Sequence, residues 1–160
     1  MPEPKTKDIR LSRWLKEKLI ELNLGGQTKT ALLSGLVELV AKSGKLKNKK
    51  TFLKALLWRE RLGSTAIGNG VAIHHAKSKV VKGAVIAFAK STQGIDFGAL
   101  DGEKVYLFFI LASPESAVGK HLKILAEIAH FIKDKFTIQL LKKAVNKKEI
   151  LKIISAYENK

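Results

Sequence analysis

The 160-residue chain contains no cysteine, which removes disulfides, thiolate metal sites, cysteine nucleophiles and iron–sulfur clusters together. It has no long apolar run: the longest, such as VYLFFILA at 105–112, reach about eight residues, too short to cross a bilayer. The opening residues, MPEPKTKDIR, lack the apolar stretch of a secretory signal peptide, so a cytoplasmic protein with no membrane insertion is expected. No GxxxxGK[ST] loop is present to cradle a nucleotide, and the GNG at 68–70 is too weak a signal to replace it. Acidic residues are scarce as well. Against 30 Lys plus Arg there are 14 Asp plus Glu, for a net charge of +16.

Lysines crowd at 45–50, 77–82 and 142–148, and a field of that sign speeds encounter with acidic partners and promotes loose binding to nucleic acid. These clusters carry almost no aromatic residues for base stacking and match no recognition motif, so no specific nucleic-acid partner is expected.

What is present describes one domain with a single core, since an apolar fraction of 46% belongs to a globular chain. Leu32, Leu33, Leu36, Val37, Leu39 and Val40 share one arc at helical spacing, predicting a helix over 28–43 that stops at Gly44. Phe52, Leu53, Leu56 and Leu57 predict a second helix ending near Gly63. The β-branched and aromatic segments 65–75, 84–89 and 105–112 read as strands. The last is apolar on both faces and should be central. Helices are predicted again over 119–134 and 146–157. Helices, then strands, then helices give an α/β or α+β class, with a sheet covered on both faces in three layers.

One stretch speaks of chemistry. Arg59–Ala76 reads RERLGSTAIGNGVAIHHA, combining two arginines, hydroxyls, glycines and a histidine pair. An imidazole that accepts a phosphoryl group needs no added base near neutral pH, but it needs cations, hydroxyls and N–H donors for the anion. Arg59 offers a planar fork, Ser64 and Thr65 supply hydroxyls, and Gly63, Gly68 and Gly70 permit close backbone approach. The same glycines also fit ordinary turns. His74 and His75 are adjacent in a strand, so they should point to opposite sides, and only one of them can meet His121. His121 opens a helix on its inward stripe with Leu125, Ile128 and Ile132; alone it fits a core histidine as well as a functional one. His130 falls on the polar arc. No metal is expected, because no acidic residue lies at ligand spacing from either histidine of the pair.

With the segments STQGIDFGALDG, VYLFFILASPE and GKHLKILAEIA, that stretch resembles the enzyme IIA proteins of the fructose/mannitol class of the bacterial phosphotransferase system. The free-standing nitrogen-regulatory members are the most similar. The likeness runs from about residue 10 to 157 and implies a mixed β-sheet sandwiched by helices. It implies a flexible basic N-terminus at 1–9 and an enzyme IIA type-2 domain at 10–160. It also implies that His75 is the acceptor, His121 the second active-site histidine and Arg59 the active-site arginine. Ser64, Thr65 and Gly70 are then expected to hold the phosphoryl group. No cofactor is implied. The implied donor is a histidine-containing phosphocarrier protein, and the onward partner is a IIB domain or regulatory target proteins.

The chain departs from the family at His74, where proline is usual. That departure and the positive charge leave open a basic interaction module that keeps the fold without phosphoryl transfer, and a separately encoded sugar-specific IIA component would show the same sequence features.

Overall fold

The computed structural model describes residues 9–160, so the flexible N-terminus expected at 1–9 lies, Ile9 apart, outside the described residues. Polar side chains set the helix starts. Thr28 accepts from Ala31 N and opens α2 (Lys29–Ala41), after a short α1 (Leu11–Trp14), a 3-10 turn at Glu17–Leu19 and β1 (Ile20–Glu21). Asn48 caps α3 (Lys49–Arg61) in the same way through Thr51 N.

The predicted strand over 65–75 is two strands. Asn69 and Gly70 take positive φ of 58° and 79°, and they turn β2 (Ala66–Gly68) back on β3 (Val71–Ser78). An Asn-Gly pair suits such a hairpin because both residues tolerate the left-handed region. β4 (Val85–Ile95) outruns its predicted end at 89, with a break in register between Lys90 and Ile95, and β5 (Val105–Pro114) follows. α4 (Val118–Phe131), α5 (Lys135–Lys143) and α6 (Lys147–Glu158) complete the chain. The sequence reading assigned no element to α5. Its nine residues give only two turns of periodicity, and Asp134, which caps Thr137 N, is its clearest signal.

The sheet order is β1-β4-β5-β3-β2, with β5 central as its two-sided apolar sequence requires. β3 runs parallel to β5 and β1 to β4, while β4–β5 and β2–β3 are antiparallel, so the sheet is mixed. Side chains alternate across it. Ala72, His74, Phe108 and Ile110 share the face toward α2 and α3, where His74 approaches Glu60. Ile73, His75, Phe109 and Ser113 share the other, where Phe109 packs on Phe131 of α4 and Phe131 on Tyr157 of α6. The fold is thus an α/β three-layer domain. No helix among the described residues is long and apolar enough to cross a membrane.

One asymmetry positions the site. β2 is so short that its pairing to β3 ends at Ala72, with one further bond from Ile73 N to Thr65 O. Beyond that point, among the described residues, no strand lies beside the outer edge of β3, and α3 packs against β3.

Candidate functional site

His75 sits just past the end of that pairing, half-buried, on the face covered by α4. The N-terminal turn of α4 brings His121, which is 3% exposed, over the sheet, with its Nε2 3.4 Å from Nδ1 of His75. On its other side, His121 Nδ1 lies 2.8 Å from the hydroxyl of Ser113 in β5. The inward reading of His121 therefore holds, and it is a histidine paired with another histidine. His130 is exposed, as its polar arc required.

A cavity of about 330 Å³ opens on this pair. Trp58 and Arg59 of α3, with Leu62 just past its end, line one wall, and Leu122 and Leu125 of α4 the other, with His75 and Lys77 between them. The Arg59 Nη1 donates to Gly63 O at 3.0 Å, which closes the end of its own helix and fixes the guanidinium at the cavity edge.

Burial first, then the positive charges of Arg59, His121 and Lys77, push the His75 pKa down to about 4. Burial, with Lys77, also lowers that of His121. Both rings are therefore neutral at pH 7, and a neutral imidazole keeps a lone pair for nucleophilic attack. The hydrogen bonds order the lone pairs. With Ser113 Oγ accepting from His121 Nδ1–H, His121 Nε2 accepts from His75 Nδ1–H, and the lone pair of His75 falls on Nε2.

His74 is elsewhere. It is 2% exposed, on the opposite face, stacked on Phe108 (5.9 Å between centroids, 12° between planes) and tilted against Phe97 at 5.1 Å. Thr65 Oγ1 donates to Glu60 Oε2 at 2.7 Å, so it must accept from His74 Nδ1, 2.9 Å away. Nε2 is then a bare lone pair, with no hydrogen-bond partner among the described residues. Burial above all, with the nearby charges of His75, Arg59 and Lys29, drives the His74 pKa down to about 3. Through Thr65 the histidine forms a polar tie between Glu60 of α3 and β3.

Of the residues expected round the phosphoryl group, His75, His121 and Arg59 line one cavity, and Ser64, Thr65 and Gly70 are not part of its lining. The Ser64 hydroxyl donates to Phe97 O and accepts from Ala66 N. Thr65 is 4% exposed and spent on Glu60 and His74. Gly70 immediately precedes β3, five residues or about 16 Å of extended chain from His75, and receives Tyr106 N and Leu107 N on its carbonyl. A Cβ there would meet Lys142 Nζ at 3.1 Å. These positions hold the framework of the site. The sequence reading missed Ser113 and Glu60, and spacing gave no signal for either, because both act through partners distant in the chain.

A neutral histidine pair with an arginine fork, at the open edge of a mixed sheet between two helical layers, has the chemistry to take up an anionic group on a ring nitrogen. The chain belongs to the family described as "Phosphoenolpyruvate-dependent sugar phosphotransferase system, EIIA 2", which it matches over residues 13–157. It is 38% identical over 122 residues to a nitrogen regulatory protein of Bradyrhizobium diazoefficiens, covering 75% of this chain and 80% of that protein. It is 31% identical over 150 residues to the fructose-specific EIIABC component of Bacillus subtilis, which takes in 94% of this chain. The chain spans only 24% of that longer relative. The crystal structure of the nitrogen regulatory protein IIA-Ntr from Neisseria meningitidis superposes with a TM-score of 0.83 at 32% identity, covering 90% of this chain and 98% of that one.

Proposed function

We propose that residues 10–160 form an enzyme IIA domain that accepts a phosphoryl group on Nε2 of His75, in the cytoplasm, from a histidine-containing phosphocarrier protein. The observation that supports this most directly is the 3.4 Å pairing of His75 Nδ1 with His121 Nε2 in a cavity that also holds Arg59. The His75 Nε2 lone pair attacks phosphorus as the N–P bond of the donor's phosphohistidine breaks, and that electron pair returns to the donor imidazole. Positive charge develops on the His75 ring, and its Nδ1–H shares that charge with His121. Arg59 uses one of its five N–H donors on Gly63 O, which leaves others for the phosphoryl oxygens.

The nitrogen-regulatory type is the reading we favour, on the 38% identity to a nitrogen regulatory protein and the near-complete span of the Neisseria structure. The 31% identity to a fructose-specific component along 94% of the chain favours a second reading, onward transfer to a IIB cysteine.

Incubation with phosphoenolpyruvate, enzyme I and the phosphocarrier protein tests the function by intact mass. One phosphoryl group should be gained, stable in alkali, lost in acid and mapped to His75, and His75→Ala should gain none. Full labelling of His75→Ala, or no labelling of the wild type, would overturn the proposal. Purified IIB proteins then separate the two readings, since only a sugar component empties its phosphoryl group onto them.

A further inference from the structure

The wall of the His75 cavity is apolar and positive at once. Trp58, Leu62 and Leu122 are 62%, 68% and 58% exposed, an unusual concentration of bare apolar side chains round one opening. Arg59 and Lys77 line the same opening, and Lys54 and Arg61 stand exposed beside Trp58 on the outer face of α3. Among the described residues no carboxylate lines it. α3 has one acid, Glu60, whose carboxylate is held beneath the surface by Thr65 and His74. β3 has none, and Glu127 of α4 lines a different cavity, with Arg10 and His130. Glu115, in the turn before α4, is exposed and is not part of the lining.

An imidazole at the floor of an apolar ring calls for a partner that expels water from the transfer site, and a positive rim sets the partner's sign. We infer that this surface docks a phosphocarrier protein whose phosphorylated histidine lies in an apolar patch ringed by Asp and Glu. Apolar side chains of the partner cover Trp58, Leu62 and Leu122, and its carboxylates face Lys54, Arg61 and Lys77. The inference rests on the phosphoryl-acceptor reading and adds the chemistry of the donor's face. Nucleic acid fits the charge but not the ring: Trp58 alone offers a stacking surface, and leucines make the rest.

The test uses two forms of one phosphocarrier protein, differing only in carrying acidic or basic residues round the active histidine. Transfer to the wild type at low salt should be at least about tenfold faster from the acidic-ringed form, with the advantage shrinking as NaCl rises past about 0.15 M. Lys54→Glu combined with Arg61→Glu should erase or invert the preference while far-UV circular dichroism is unchanged. Equal, salt-independent rates from both forms would overturn the inference and leave the acceptor function standing. If neither form transfers, the acceptor reading fails. Trp58 fluorescence on titration with the unphosphorylated acidic-ringed form then decides the docking surface independently. Salt-sensitive quenching weakened by the double substitution upholds it. No quenching, or displacement of the carrier by a single-stranded oligonucleotide of equal affinity, overturns it.

Discussion

Ser113 Oγ lies 2.8 Å from Nδ1 of His121, and the direction of this hydrogen bond sets which nitrogen of His75 carries a free lone pair. With the serine accepting from Nδ1–H, His121 meets His75 through an unprotonated Nε2, and His75 Nε2 faces outward ready to react. Loss of His121 removes both the orientation and the charge-sharing partner, so His121→Ala should slow phosphoryl transfer about 10²-fold. Ser113→Ala frees the tautomer at the cost of one hydrogen bond, about 1 kcal/mol, which is about fivefold in rate. Rapid-quench transfer from phosphorylated carrier measures both. Unchanged rates in a folded variant would remove the relay.

The pH response of His75 follows from its surroundings. Burial and Arg59 hold its pKa down at about 4, so the ring is neutral through the whole range in which an ordinary imidazole would half-protonate near 6.5. Acceptance should therefore be level from pH 8 to about 5.5, dropping only as pH approaches 4. A ring-carbon NMR titration of His75 checks this directly, and a midpoint near 6.5 would contradict it.

His74 ties acid stability to the same strand. Its folded pKa of about 3 lies below its unfolded value near 6.5. Between the two, the unfolded chain binds the proton that the native ring refuses, so stability falls as pH drops from 6.5 toward 3. The slope approaches about 1.4 kcal/mol per pH unit for this one group. His74→Leu should flatten the pH dependence of urea unfolding across that window. An identical slope in wild type and variant would show that His74 takes up a proton in the folded state.

Lys90 fastens α5 to the sheet. Its ammonium donates to Lys142 O at 2.8 Å and Ala144 O at 2.7 Å, where the helix ends with free carbonyls. Lys90→Met keeps the stem and leaves those carbonyls without their donor. A loss of about 2 kcal/mol in urea unfolding is expected. The His75 site, on another strand, should keep its transfer rate.

Much of this molecule could be read from local chemistry. Thr28, Asn48 and Asn146 at helix starts, the arc of leucines in α2 and the two-sided apolar run of β5 each show in a few residues what the backbone does there. The strand period put His74 and His75 on opposite faces without any coordinates, since neighbours in extended chain cannot share one. Local pattern failed where the signal was short, as in α5. Nor could it tell adjacent hydroxyls apart: Ser64 and Thr65 both suited an anion, and only the fold leaves Ser64 exposed on Phe97 O while it buries Thr65 against Glu60.

Alternation names two sides of a strand but not what covers either one. That His75 meets an imidazole 46 residues away while His74 meets Glu60 and two phenylalanines depends on which helix packs on which face. So does the pairing of Ser113 with His121, which crosses from the central strand to α4. Strand order and helix packing are settled by burial over the whole core, a sum over distant residues that no short window contains. The sequence alone determined the longer elements, the alternation and the candidate residues; the tertiary structure decided which imidazole is accessible and paired with another.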